Sequence, residues 1–241
     1  MTSQNVASEE AITSASLAPR WHTAALIALL LCVALTGTLL QHYGASSGRA
    51  SAALGSVSSR ILGQYAPLLL VNWGLCAYCC VLFRERNALP QLLGLRWHNA
   101  RRTCGDLALA GGGFLLIMIV EFVSARLFAA GQNAAIARLL PSTVAERLTW
   151  VLVALSVGFC EEVVYRGYLQ SQLTAFSASR AVGVIGQALL FGLAHLEQGP
   201  ALALRIGTYG LVFGLLAQFR RSLLPGIVCH VLVDLAAVFL H

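Results

Sequence analysis

Three short clusters place ionisable side chains within strongly apolar sequence. They are Glu161, Glu162 and Arg166 in E-E-V-V-Y-R-G, His195 closing F-G-L-A-H, and His230 with Asp234 in H-V-L-V-D. A charged residue at the centre of a bilayer costs roughly 2.5–3.5 kcal/mol on insertion scales, so such groups face a protein interior or a wet cavity and carry function. Acids and imidazoles spread over three helices point to hydrolytic chemistry inside a membrane.

The spacing within each cluster separates roles. Glu162 and Arg166 are four apart, so on a helix they share a face and can pair. Glu161 projects about 100° away from that face and lacks this partner. One acid is satisfied by arginine, while the other is available to polarise water, which suits general acid–base work. The structural alternative is a polar knot that locks helices together. In the second cluster Phe191 and His195 fall on one face, and Gly192 and Ala194 are small enough to admit a neighbouring helix. By itself His195 reads as a satisfied interior histidine; the second histidine makes it a candidate. His230 and Asp234, again four apart, permit an imidazole oriented by its acid. They equally permit two ligands to one metal, or a polar clamp on the last helix.

The elements that must hold these groups are membrane helices. The chain has 241 residues, of which 58% are hydrophobic and 11% charged. That charge content is under half of the ~25% usual in soluble domains. Spans are expected near 22–41, 61–83, 105–130, 146–174, 180–196, 201–219 and 223–240, giving an all-α polytopic bundle of about seven transmembrane helices. The organisation expected is a disordered polar tail over 1–20, N-terminal transmembrane helices over 21–145 and a catalytic helix core over 146–241. Residues 22–41 are too far from the start for a typical signal peptide, and Gln41-His42-Tyr43 is a poor cleavage site. Pro67 and Gly111-Gly112-Gly113 can kink or thin their helices. The segment 146–174 exceeds what a bilayer requires, so it should tilt or break.

All sixteen basic residues are arginine, and the formal net charge is +6. No basic stripe interleaved with aromatics points to nucleic acid. The arginines between the second and third, fourth and fifth, and sixth and seventh spans share one side, which favours a cytoplasmic N-terminus. Seven cysteines, mostly in apolar runs, read as buried small hydrophobes rather than a disulfide framework, including Cys76, Cys79 and Cys80 in C-A-Y-C-C. Cys160 precedes Glu161, but neighbouring negative charge disfavours a thiolate, so it is rejected as a nucleophile. Ser156, Ser171 and Tyr165 have no adjacent base at a telling spacing. Glu121 and Arg126 read as a structural pair, with snorkelling of Arg126 as the alternative.

In order and wording the three clusters resemble the CPBP family of intramembrane proteases, which includes the Rce1-type CAAX prenyl endopeptidases and bacterial homologues. The family pattern is E-E-x-x-x-R, then F-x-x-x-H, then H-x-x-x-N or D, and the resemblance covers about residues 146–240. It implies that Glu161 activates the attacking water with His195 helping to hold it, and that Glu162 with Arg166 is a structural ion pair. It also implies that His230 and Asp234 stabilise the oxyanion and orient the substrate. Asp234 stands where other relatives have asparagine, and an ionised aspartate has no proton to donate to an oxyanion.

The implied reaction is peptide-bond hydrolysis by direct attack of water. No cofactor is favoured; zinc on Glu161, His195 and His230 is the alternative, although the H-E-x-x-H helix that marks many zinc peptidases is lacking. Expected partners are membrane lipid and a protein or peptide substrate with a hydrophobic or lipidated segment. The expected location is a bacterial inner membrane. Two other functions compete: a non-catalytic peptide-binding or bacteriocin-immunity membrane protein, and a small transporter. The lack of a second similar half argues against transport.

Overall fold

The computed structural model describes residues 16, 18–46, 60–85, 100–127 and 140–239. The polar connections around Arg86, Arg96 and Arg138, and most of the tail read over 1–20, lie outside the described residues. The described residues form an all-helical bundle. In chain order it comprises α1 (Arg20–Ser46), α2 (Ala66–Glu85, entered through a π-helical turn Ile61–Tyr65) and α3 (Ala100–Leu127). Then come α4 (Val144–Glu161), a π-helical segment Glu162–Leu169, and α5 (Gln170–Ser177). The last three helices are α6 (Arg180–Leu193), α7 (Pro200–Arg220) and α8 (Leu224–Phe239), with a 3₁₀ turn Leu196–Gln198 between α6 and α7.

Five of these stretches are long and apolar enough to cross a membrane, the longest being the 34 residues Val144–Ser177. The break expected in that segment is therefore a change of helical type, not an interruption. Helices α6 and α8 are shorter, with 14 and 16 residues. At 1.5 Å per residue they reach only about 21 and 24 Å, short of the ~30 Å hydrocarbon core. The polarity of the bundle is that of a membrane protein. Leu70, Leu115, Leu152, Leu189 and Leu215 are exposed, while Gln170, Gln172, Gln187, Glu162 and Arg166 are buried.

Local signals fix the helix ends. Thr143 and Glu146 form a capping box at the start of α4, and Glu146 also bonds Arg60 Nη1 at 2.6 Å, tying α2 to α4. Ser179 Oγ accepts the Val182 amide at the start of α6. Gly199 adopts φ 96°, a backbone region that favours glycine, and Pro200 opens α7 immediately afterwards. Just before α1, Ala18 is buried, so the end of the tail is anchored: its amide donates to Gln172 Oε1 at 3.3 Å and its carbonyl accepts from Gln172 Nε2 at 2.9 Å.

Polar side chains and glycines set the packing of the last helices. Gln170 Nε2 donates to the Gly214 carbonyl at 3.1 Å, and Gln187 Nε2 to the Gly210 carbonyl at 2.9 Å. Helices α6 and α7 approach closely at Gly192, where a Cβ would lie 2.6 Å from the Ala203 carbonyl oxygen and 3.1 Å from Gly207 Cα. The tri-glycine run leaves α3 continuous; there Gly113 faces Leu216 and Cys229, while Gly111 and Gly112 face open space. Gly192→Ala is therefore expected to force α6 from α7 and to destabilise the bundle by about 1–3 kcal/mol, the usual range for overpacking. Thermal unfolding in detergent checks this, with Gly112→Ala as a control expected to be neutral.

Candidate functional site

The π-helical segment begins at Glu162 and carries the whole first cluster after Glu161. Helical segments with this wider turn are rare and occur disproportionately at functional sites. The two adjacent glutamates meet different surroundings. Glu162 is fully buried, and its Oε1 lies 2.9 Å from Arg166 Nη1 and 3.2 Å from His230 Nδ1. Its other oxygen faces Gly226, where any Cβ would come within 2.6 Å. Glycine at 226 is thus the condition for this carboxylate to lie against α8. Arg166, also fully buried, rests its guanidinium over the rings of Phe191 at 4.2 Å and Phe213 at 4.9 Å. Ring faces attract a desolvated cation, so carboxylate and aromatics together hold the one arginine at the centre of the bundle.

Glu161 is the freer acid. Its side chain keeps 13% exposure and its Oε2 stands 3.8 Å from His230 Nε2, with no hydrogen-bond partner of its own. His230 sits between three acids. Its Nδ1–H donates to Glu162, and its Nε2 is 3.8 Å from Glu161 and 3.9 Å from Asp234. The Phe213 ring stacks on the imidazole at 4.8 Å. The acid hydrogen-bonded to His230 is therefore Glu162 on another helix, whereas Asp234, which the spacing permitted as the orienting acid, comes only to 3.9 Å. A hydrogen bond of 3.2 Å outweighs a 3.9 Å approach that is too long to be one. The carbonyl of Asp234 accepts the Trp150 indole N–H at 3.0 Å, which fixes that turn of α8 against α4.

His195 follows the end of the short helix α6, at the entry to the 3₁₀ turn. The 14 residues of α6 are too few to cross a hydrocarbon core of ~30 Å by themselves. The His195 Nδ1–H donates to the Phe191 carbonyl at 2.7 Å, which leaves Nε2 free. Its ring meets Phe191 edge-on, Phe191 meets His230 in the same way, and His195 interacts electrostatically with Asp234. The three clusters thus converge around Phe191. Phe213 and Gly226, which complete the centre, gave no sequence signal beyond their apolar surroundings.

Two further expectations are settled by the packing. Glu121 pairs with Arg205 of α7 at 2.9 Å and accepts the Tyr209 hydroxyl, whereas Arg126 lies over the Phe122 ring at 4.8 Å. The expected Glu121–Arg126 pair is replaced because five residues is off-face on an α-helix and a neighbouring helix offers arginine. All seven cysteines are free thiols, and Cys160 is fully buried. Among the described residues no three His, Cys, Asp or Glu side chains gather as a metal site.

Removing Glu162 would strand Arg166 in a dry interior, and breaking one side of a buried pair costs about 3–5 kcal/mol. Glu162→Ala should therefore lower the unfolding midpoint and the amount of protein in the membrane. Glu161→Gln should leave both near wild type. Thermal unfolding of the two purified variants checks this division of labour.

Residues 143–236 match the family model described as Rce1-like, type II CAAX prenyl endopeptidase. No curated protein and no solved structure matches the chain. Helices α1 to α3 lie outside the matched residues, whereas all three clusters lie within them. Residues 143–236, the segment that carries all three clusters, are thus similar to the Rce1-like CAAX prenyl endopeptidases.

Proposed function

We propose that this membrane protein is an intramembrane endopeptidase in which Glu161 activates water against a peptide bond of a hydrophobic or lipidated substrate. One observation carries the reading: of two neighbouring glutamates, Glu162 is sealed in and bonded through Oε1 to Arg166 and His230, while Glu161 keeps 13% exposure and an Oε2 without a hydrogen bond beside His230. A carboxylate kept partly free next to an imidazole is what a general base requires.

The reaction follows from that asymmetry. Glu161 takes a proton from water while His195 Nε2, left as an acceptor by the bond at Nδ1, helps to hold that water. The hydroxide adds to the carbonyl carbon, and the carbonyl oxygen becomes an oxyanion. The proton on Glu161 passes to the leaving nitrogen as the C–N bond breaks, giving a carboxylic acid and an amine. His230 and Asp234 line the same centre and orient the substrate. A water-poor surrounding strengthens each interaction with the developing charge.

The sidedness of the bundle supports an N-terminus in the cytoplasm. Arg220 pairs with Asp106, and His22 with Tyr78, so the starts of α1 and α3 and the ends of α2 and α7 share one end. Arg20, Arg84, Arg101, Arg102, Arg180, Arg220 and Arg221 collect there, against Arg60, Arg126, Arg147 and Arg205 at the other end. Among the described residues this excess of arginine supports that end as the cytoplasmic side, in keeping with a bacterial inner membrane.

The test compares protein termini in membranes of cells carrying wild type or Glu161→Gln. A substrate cut only by wild type is expected. Unchanged termini, with both forms equally abundant, would favour a peptide-binding or immunity role instead. With the substrate known, chelation by EDTA or 1,10-phenanthroline is expected to leave cleavage unchanged. Loss on chelation with recovery on zinc would reverse the metal-free route.

A further inference from the structure

The route above needs a hydrogen-bond donor for the oxyanion, and the side chains already assigned supply few. His195 spends its Nδ1–H on the Phe191 carbonyl and His230 spends its own on Glu162. When neutral, both rings then present Nε2 as an acceptor, and His230 donates there only as the imidazolium held among its three acids. An ionised Asp234 is an acceptor only. Arg166 is fully buried behind the rings of Phe191 and Phe213 and committed to Glu162.

Tyr165 has the complementary character. It lies four residues after Glu161, on the same π-helical segment that carries Glu162 and Arg166. It is 4% exposed and within electrostatic reach of both Glu161 and Glu197, the latter two residues beyond His195. Its ring is fixed edge-on to Phe191 at 4.9 Å, while the Arg166 guanidinium sits 5.7 Å from its centroid. The hydroxyl bonds to no described residue, yet it is not among the buried polar atoms sealed without a partner. A rigidly held phenol beside the base, with its proton unspent, is unusual in so apolar an interior, where tyrosine hydroxyls normally find partners.

The geometry points to Tyr165 as a further catalytic residue, whose hydroxyl donates a hydrogen bond to the scissile carbonyl oxygen as it becomes an oxyanion. The inference rests on the protease reading above. It makes no new bond and consumes no proton: the phenol keeps its hydrogen throughout and stabilises charge only while the tetrahedral intermediate exists. It also gives a role to a residue that spacing alone dismissed, because a donor needs no adjacent base whereas a nucleophile does.

The experiment uses the full-length protein in liposomes and the substrate defined by the terminus comparison, with wild type, Glu161→Gln and Tyr165→Phe side by side. Phenylalanine keeps the ring contacts, so Tyr165→Phe should unfold at the wild-type temperature. Its kcat is expected to fall by about 10²-fold, the loss typical of one oxyanion donor, with KM nearly unchanged. Cleavage within about threefold of wild type, or a raised KM with unchanged kcat, would overturn the assignment. A second measurement replaces Tyr165 by 3,5-difluorotyrosine, whose more acidic phenol should lose its proton, and the activity with it, at lower pH than wild type. An unmoved alkaline limb overturns the assignment even if Tyr165→Phe fails to fold. Full cleavage by Glu161→Gln would sink the role of Glu161 while leaving Tyr165→Phe readable. A wild type that generates no termini would end both.

Discussion

The site depends on one buried carboxylate. Glu162 neutralises Arg166, the one described arginine at the centre of the bundle, and also holds the Nδ1–H of His230. Charge in so apolar an interior persists only when it is paired and surrounded by groups that satisfy it. The rings of Phe191 and Phe213 complete that surrounding on the guanidinium side, and Phe213 continues it by stacking on His230. Helix α4 with its π-helical continuation, α6, α7 and α8 are thereby tied to a single electrostatic centre. The neutralised pair leaves Glu161, one residue earlier, as the acid with chemistry still to do.

Backbone permissiveness is the second condition. A carboxylate can lie against α8 only because residue 226 has no Cβ, and α6 can approach α7 only because residue 192 has none. Without the first approach His230 loses its orienting acid; without the second Phe191 and His195 move away from the centre. The shortness of α6 adds to this. A helix of 14 residues ends where its terminal histidine meets Phe191, the ring that also meets His230. The closing glycine of the 3₁₀ turn that follows, Gly199, is the position whose positive φ allows α7 to start at once.

Much of this arrangement was legible in the sequence because it rests on short-range helix geometry. Glu162 and Arg166 pair across four residues, as their spacing required, and the three clusters meet as their shared exclusion from lipid required. What could not be read depends on which helices become neighbours. His230 and Asp234 have the same spacing as Glu162 and Arg166, yet His230 bonds to Glu162, since α8 packs against the π-helical segment through Gly226. Glu121 finds Arg205 and Tyr209 on α7 rather than Arg126 on its own helix for the same reason. Phe213 was illegible because an aromatic in an apolar run has many destinations. The change of helical type at Glu162 left no mark in residue types.

The π-helical segment explains why the spacing E-E-x-x-Y-R can serve two purposes at once in this chain. A helix face is usually either structural or reactive, because residues four apart share surroundings. Here Glu162 and Arg166 share the sealed interior, while one step back along the same register Glu161 stays partly exposed and the buried Tyr165 lies within its electrostatic reach. Two parallel rows, each of two residues, run along one segment. One row cancels its charges and fixes the bundle. The other keeps an unpaired carboxylate oxygen and an uncommitted phenol on the same side, the acceptor and donor that addition of water to a carbonyl requires. Helices α1 and α2, outside the family match, flank this segment, with Thr23 bonding the Tyr168 hydroxyl at 3.1 Å and α2 packing against it. Rigid support from outside the motif is what lets one π-helical segment keep reactive and structural rows one residue apart.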